Sequence, residues 1–179
     1  AVAQLLARQL PQIAERLKAT LDKLQRPQIE ANSPISAAEW WARLQDRHAG
    51  NSIVWRGDLR GIAELPGALF DSVAENLLQN ALVKRQNESG IEISVNLTVD
   101  HAPKESLLGC EKLDLAVRDT GKAIPPAIAD ALFREPVKSE LGLGIGLYHA
   151  AKQAEEAGYR LSLADNRPGT VVFRLTRVN

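Results

Sequence analysis

The sequence predicts a two-layer α/β sandwich in which helices cover one face of a mixed, mainly antiparallel sheet, with an N-terminal helical extension. Three observations lead to this fold class: four segments alternate apolar and polar residues, a long amphipathic helical pattern lies among them, and a second helix opens from a glycine-rich turn. Alternation on one side is typical of antiparallel or mixed sheets, because the strands of a doubly wound parallel sheet are apolar on both faces.

The N-terminal segment carries a stripe of apolar residues with nearly heptad spacing, which predicts a helix that packs against a partner helix. The stripe consists of Leu6, Leu10, Ile13, Leu17, Leu21 and Leu24. The segment "RPQIEANSP" follows it and is typical of a linker because it holds two prolines. We therefore divide the chain into a helical segment, 1–30, and a globular domain, 31–179. A helix that packs on its own domain explains the stripe equally well.

Two helices are predicted early in the globular domain. A short helix begins at Ser36, which has the spacing of a capping box with Glu39, and ends near Gly50. A long helix begins at Pro66 and runs to about Arg85, because its apolar residues recur with the helical period. Between the helices, "SIVW" is predicted to be a short strand and "RGDLRGIAELPG" a loop.

Four further strands are predicted from strict alternation. They cover residues 91–99, 113–117, 159–163 and 171–175. Turn or helical patterns separate these segments, which is consistent with strands of one sheet that are joined by turns and helices.

Composition limits the classes of function. The chain has 179 residues, of which 45% are hydrophobic, and 22 Lys and Arg balance 22 Asp and Glu, so we expect one substantial core and no nucleic-acid partner. A single cysteine, Cys110, excludes an internal disulfide framework. No apolar run reaches the length of a membrane span, and we predict a cytoplasmic domain, which could also be the cytosolic part of a membrane-anchored sensor.

The first motif, "ENLLQNAL", lies on the long predicted helix. Asn76 and Asn80 are four residues apart and therefore share one side of that helix. The oxygen of an asparagine amide suits Mg²⁺, and its NH₂ group can donate to a phosphate or to water. Two exposed polar residues on an amphipathic helix remain the alternative explanation.

The second motif, "LDLAVRDTG", places a carboxylate at the end of a predicted strand. Asp119 can accept a hydrogen bond from an exocyclic amine such as that of adenine. Gly121, two residues later, lets the backbone approach a ring closely because glycine has no Cβ.

Two more motifs follow along the chain. In "ALFREPVKSE", Phe133 precedes a segment with the character of a lid, from which Lys138 could reach phosphate oxygens. In "GLGIGL", Gly142, Gly144 and Gly146 lead directly into a helix. A glycine turn at a helix N-terminus directs backbone N–H groups and the positive end of the helix dipole toward a phosphate.

The order of these motifs, completed by "NRPGTVVFRL", resembles the ATP-binding domain of sensor histidine kinases, within the group that includes DNA gyrase, the ninety-kilodalton heat-shock proteins and MutL. The resemblance spans about Pro66 to Leu175. It implies the Bergerat-type ATP-binding fold, with ATP and Mg²⁺ as cofactors, Asn80 holding the metal, and Asn76 and Lys138 assisting transfer. ATP contacts are implied for Asn76, Asn80, Lys84, Asp119, Gly121, Ala123, Ile124, Phe133, Gly142, Gly144, Ile145, Gly146, Leu147 and Thr170.

The resemblance also implies partners. A sensor histidine kinase transfers the γ-phosphoryl group of ATP to a histidine on a helical dimerisation domain of the same protein, acts as a homodimer and serves a response regulator. His48, His101 and His149 do not have the setting expected of that acceptor, so we expect it outside this chain. The resemblance implies that segment 1–30 is part of the dimerisation and phosphotransfer hairpin and that 31–179 is the ATP-binding catalytic domain.

Three alternatives compete with this interpretation. A dinucleotide site needs glycine where Leu147 stands and a strand before the glycines, where "REPVKSE" is found. A related ATP hydrolase needs a glutamate four residues before Asn80, but Asn76 occupies that position and Glu75 is turned about 100° around the helix. A nucleotide-binding regulatory or dimerisation module without kinase activity would retain the same motifs.

Overall fold

The computed structural model describes residues 34–59, 63–100, 112–136 and 144–178. The predicted helical segment 1–30 lies outside these residues, as do Lys138 and Gly142. The division of the chain at residue 30 therefore stays a prediction.

Strands and helices alternate along the described chain. They are β1 (Pro34–Ser36), α1 (Ala37–Arg47), β2 (Ile53–Asp58), β3 (Glu64–Pro66), α2 (Gly67–Asn87), β4 (Ile93–Asp100), β5 (Lys112–Asp119), α3 (Pro126–Ala129), α4 (Gly144–Glu156), β6 (Tyr159–Arg167) and β7 (Thr170–Arg177). None of the helices in these ranges is both long and apolar enough to cross a membrane.

The main sheet has five strands in the order β2-β4-β5-β7-β6. β2 runs parallel to β4, and the remaining neighbours are antiparallel. β1 and β3 form a separate two-stranded antiparallel ribbon. The predicted mixed, mainly antiparallel sheet is thus confirmed.

One face of the sheet is buried and the other is polar. In β4, Val95 and Leu97 are completely buried, whereas Asn96 between them is exposed. The register pairs Val95 with Val117 and Leu97 with Leu115, so the apolar side chains of neighbouring strands lie on the same face. Helices α2 and α4 complete the core on this face, which explains the one-sided alternation in the sequence.

Helix α1 forms as predicted, but its predicted cap is wrong. The Ser36 side chain makes no capping hydrogen bond, and Glu39 pairs instead with Arg43 one turn later. Ser36 is the last residue of β1, where it pairs with Glu64. The N–H of Ala37 donates to the carbonyl oxygen of Ala63 at 2.8 Å, so a neighbouring backbone satisfies one of the N–H groups that have no partner within the helix.

The segment predicted to be a loop after "SIVW" holds more regular structure than expected. β2 continues to Asp58 because its parallel pairing with β4 extends that far, and β3 takes Glu64–Pro66 by pairing with β1. Neither piece could be recognised from alternation, since "RGD" lacks apolar residues and "ELP" is too short for a period.

Helices α2 and α4 pack closely side by side. Small residues recur every four positions on α4, at Gly146, Ala150 and Ala154, and both alanines are buried. The Ser72 hydroxyl donates to the Gln153 side-chain oxygen at 2.8 Å across the same contact. Small side chains allow two helix backbones to approach each other, so the start of α4 lies against α2.

Candidate functional site

One side of α2 carries Asn76, Asn80 and Lys84 at intervals of four residues. The Nδ2 group of Asn76 donates to the Ser72 carbonyl oxygen at 2.6 Å, which leaves its Oδ1 atom directed away from the helix backbone. Asn80 is partly exposed, and its side chain makes no hydrogen bond within the described residues. Asn80 therefore has both its oxygen and its NH₂ group available to a ligand.

The start of α4 meets this side of α2 at Asn76. A Cβ atom on Gly146 would lie under 3.0 Å from the Asn76 side-chain oxygen, a separation that real Cβ atoms do not tolerate. Gly146 thus leaves the space that the Asn76 side-chain oxygen occupies where the two helices meet. The approach brings the first-turn N–H groups of α4, which have no partner within that helix, beside the asparagine side of α2.

Asp119 lies at the other end of the same side of α2. It is the last residue of β5, and only 6% of its surface is exposed. Its Oδ1 atom accepts the N–H of Gly121 at 2.9 Å and the Nζ group of Lys84 at 2.6 Å. A buried carboxylate needs such donors because burial without them is costly.

The Asp-Gly motif and the final Gly-Thr motif are in direct contact. The N–H of Gly169 donates to the carbonyl oxygen of Gly121 at 2.9 Å. Gly169 has φ of 83°, a left-handed conformation that favours glycine in the turn between β6 and β7. The hydroxyl of Thr170, the first residue of β7, donates to the Gly169 carbonyl at 2.7 Å.

Asn166 is a structural residue that the sequence analysis missed. Its Oδ1 accepts the N–H of Ile124 at 2.7 Å, and its Nδ2 donates to the Ile124 carbonyl at 2.8 Å. This paired contact holds the loop after Asp119 against β6. The signal was present, since Asn166 opens the quoted "NRPGT" motif, but asparagine is common in turns and its partner is distant in sequence.

The remaining predicted site residues lie at different depths. Leu147 is completely buried and Ile124 nearly so, so each would reach a nucleotide through its backbone. Ile145 is 60% exposed at the first turn of α4, and Ala123 is partly exposed in the loop after Asp119. The ring of Phe133 packs edge-on against Phe173 with centroids 6.3 Å apart, which attaches the segment after α3 to the sheet. Gly144 begins α4, whereas Lys138 and Gly142 lie outside the described residues.

Asp71 and Glu75, on the side of α2 next to the asparagines, accept hydrogen bonds from α1. Arg47 donates to Glu75 at 3.0 Å and to Asp71 at 2.6 Å, and the Nε2 atom of His48 lies 3.1 Å from the other Glu75 oxygen. Trp40 donates to the same Asp71 oxygen as Arg47, at 2.9 Å. Glu75 therefore interacts with Arg47 and His48 and does not share the face of Asn76 and Asn80.

The sequence matches the family of histidine kinase-, DNA gyrase B- and HSP90-like ATPases over residues 67–178. The chain belongs to this family. A search of curated protein sequences finds no significant match for the chain. The family match begins at the first residue of α2 and ends just after β7, so it contains every element that builds the site.

Solved structures with the same fold include histidine kinases. The catalytic domain of histidine kinase ThkA is 18% identical, with a TM-score of 0.61 over 82% of this chain and 94% of that one. The mycobacterial sensor histidine kinase MprB is 19% identical, with a TM-score of 0.58 over 82% and 96%. ThkA in complex with the response regulator protein TrrA is 16% identical, with a TM-score of 0.66 over 97% of this chain and 49% of that one. At these identities, the likeness establishes the shared fold.

The site's residues fit the cofactors that an ATPase fold implies. Asn80 is a partly exposed amide without a described hydrogen-bond partner, one helical turn from Asn76, which contacts the glycine-opened start of α4. A helix N-terminus of this kind is suited to anions. The described residues contain no cluster of three or more His, Cys, Asp or Glu that could hold a metal by itself. This donor set suits Mg²⁺, which is bound through few protein oxygens together with phosphate oxygens and water.

Proposed function

We propose that this chain is the ATP-binding catalytic domain of a two-component sensor histidine kinase, which transfers the γ-phosphoryl group of ATP to a histidine outside the chain. One observation carries the proposal: a single side of α2 touches the glycine-opened start of α4 through Asn76 and touches Asp119 through Lys84, with Asn80 between them. Eight helical residues separate the two contacts, about 12 Å along the axis. A base subsite and a phosphate subsite therefore share one helix face.

Each element has a role in binding an extended nucleotide. Asp119 accepts the amine of the base, and the contact of Gly121 with Gly169 holds the two turns that border that position. The first-turn amides of α4 donate to phosphate oxygens, and the Asn80 oxygen serves as the protein ligand of Mg²⁺. When bound, Mg²⁺ neutralises the charge that builds up on the phosphates during transfer. Lys138 would add a positive charge from the preceding segment.

The position of Glu75 favours transfer to a protein over hydrolysis. Water attack needs a general base within hydrogen-bond reach of the nucleophile, on the side of the helix that faces the phosphates. Glu75 instead accepts from Arg47 and lies against His48, and the residue that faces α4 is the neutral amide Asn76. An enzyme without this base keeps its phosphoryl group for a protein acceptor.

The acceptor histidine comes from another segment in this proposal. Of the described histidines, His48 is buried against Glu75, and His149 lies on α4 within the nucleotide-binding domain itself. The acceptor would belong to a dimerisation domain of the same protein, acting as a homodimer in the cytoplasm. ThkA has been solved in complex with the response regulator TrrA, which supports a response regulator as the downstream partner here.

A trans-phosphorylation assay tests the proposal. The full 179-residue chain is incubated with radiolabelled ATP and Mg²⁺, with or without the longer parent protein carrying Asn80→Ala as acceptor. We expect slow turnover by the chain alone and an acid-labile, base-stable label on the acceptor. Release of inorganic phosphate at the same rate with and without the acceptor would indicate a hydrolase, and nucleotide binding without any label would indicate a regulatory module.

A further inference from the structure

Lys84 and Asp119 form an ion pair inside the candidate base subsite. The Nζ atom of Lys84 lies 2.6 Å from Oδ1 of Asp119, and the two side chains are 18% and 7% exposed. The pair connects α2 to the end of β5, which are far apart in the sequence. A pair this well shielded from water keeps its geometry more firmly than a surface ion pair does.

The aliphatic part of Lys84 lies against the Asp-Gly turn. A Cβ atom placed on Gly121 would lie 2.5 Å from Cε of Lys84 and 2.7 Å from Cδ1 of Ile91. The lysine stem and Ile91 therefore fill the space that a side chain at position 121 would need. This is the close approach that the sequence analysis assigned to the ring of a base.

One carboxylate oxygen of Asp119, Oδ1, is already engaged by donors. Each carboxylate oxygen offers about two lone-pair positions. Oδ1 of Asp119 receives two hydrogen bonds, from Lys84 and from the Gly121 N–H. An incoming exocyclic amine is also a donor, so at this oxygen it competes directly with the Lys84 ammonium group.

We propose that Lys84 is a specificity-determining residue that occupies Oδ1 of Asp119 in the base subsite and must leave this oxygen before an adenine amine can bind to it. The proposal rests on the function proposed above. Displacing Lys84 costs free energy, and this cost lowers the affinity of ligands whose 6-amino group binds Asp119. Purines that lack this group bind without this cost. Lys84 therefore weakens both the affinity for adenine compounds and the preference for adenine over other purines.

The competing role for Lys84 is a contact with phosphate. It is one helical turn beyond Asn80 on the same side of α2, so a lysine released from Asp119 could turn toward a phosphate chain. The two roles give opposite effects when the charge is removed: loss of a phosphate contact weakens ATP binding and leaves adenosine unchanged, whereas loss of the competitor strengthens adenosine binding.

The test compares adenosine with purine riboside, which lacks the 6-amino group, on the full chain. Calorimetric titrations use the wild type, Lys84→Met and Lys84→Arg, with Lys152→Met as a control on an exposed part of α4. Methionine keeps the aliphatic stem and removes the donors, and arginine keeps a charged donor, so the comparison stays interpretable if one variant is unstable. Thermal unfolding of each protein verifies that it is folded.

We expect Lys84→Met to bind adenosine about tenfold more tightly than the wild type, the value of one hydrogen bond to a charged group, with purine riboside affinity unchanged. Lys84→Arg keeps a charged donor and should not show this gain, and Lys152→Met should bind both nucleosides as the wild type does. Adenosine binding that is equal in the wild type and Lys84→Met, or weaker in the variant, would overturn the role of Lys84 and leave the proposed function standing. Failure of every protein to bind ATP or either nucleoside would overturn both.

Discussion

The side-chain oxygen of Asn76 lies directly against the backbone of Gly146, in the position that a Cβ atom would need. This contact joins the asparagine motif of α2 to the glycine motif that opens α4. It shows why the third glycine of "GLGIGL" is structural as well as suited to phosphate binding: any side chain at Gly146 displaces either Asn76 or the helix.

Gly146→Ala should therefore disturb both stability and nucleotide binding. The added methyl group meets the Asn76 oxygen, and overpacking of this kind costs about 1–3 kcal/mol. Urea unfolding measures the loss of stability, and titration with a non-hydrolysable ATP analogue measures the loss of affinity. Gly50→Ala is the matched control because no atom lies within 4 Å of the added Cβ. Equal effects of the two substitutions would show that Gly146 has no special packing role.

Asn80→Ala should reduce the dependence of nucleotide binding on Mg²⁺. The substitution removes a metal ligand and leaves the helix intact, since alanine is a good helix former. We expect the gain in affinity that Mg²⁺ confers to fall about tenfold. Asn87→Ala on the last turn of the same helix is the control. An unchanged gain would remove Asn80 from the metal site.

Asp119→Asn should abolish the preference for adenine. The amide NH₂ can face the adenine amine as donor against donor. We expect the ratio of ATP to GTP affinity to fall about tenfold or more. Competition binding with both nucleotides measures this ratio, with Asp46→Asn on the exposed side of α1 as the control. Retained discrimination in Asp119→Asn would contradict base recognition by this carboxylate.

Asp114→Asn should stabilise the protein at neutral pH. Burial on the sheet raises the pKa of the Asp114 carboxyl group, and Arg174 opposes this only in part, since its Nε lies 3.6 Å away. A raised folded-state pKa means that the ionised form is disfavoured by folding, so removing the charge increases the free energy of unfolding above that pKa.

The gain should shrink as the pH falls through the raised pKa of Asp114, because the wild-type carboxyl group is then protonated as well. Urea unfolding of both proteins between pH 7 and about pH 4 measures the difference. A loss of stability at neutral pH would show that the Arg174 pair outweighs the cost of burial, and a difference that does not depend on pH would show that folding does not shift the pKa of Asp114.

The sequence was most informative where a period extended over many residues. The alternation in β4 and the helical period of α2 predicted the one-sided sheet and the long helix, and both are confirmed. The spacing of Asn76 and Asn80 also placed them correctly on one side of α2. Such patterns are visible because burial repeats at each turn of a helix or at every second residue of a strand.

Contacts between distant segments could not be read in this way. Ser36 was predicted to cap α1, but pairing with β3 made it the end of a strand. Lys84 was predicted only as one of the ATP contacts, and its four-residue spacing from Asn80 places it on the side of α2 that meets Asp119. The sequence showed the spacing that places Lys84 on this side of the helix. It did not show the contact with Asp119, which is 35 residues away.

The central claim is that α2, the end of β5 and the start of α4 form one nucleotide site, and calorimetric titration of the full chain with a non-hydrolysable ATP analogue tests it most directly. Titrations with and without Mg²⁺ are run on the wild type and on Asn80→Ala, Asp119→Asn and Gly146→Ala. We predict one saturable site per chain that Mg²⁺ strengthens and that each of the three substitutions weakens. Absence of binding by the folded wild type, or binding that none of the three substitutions alters, would contradict the claim.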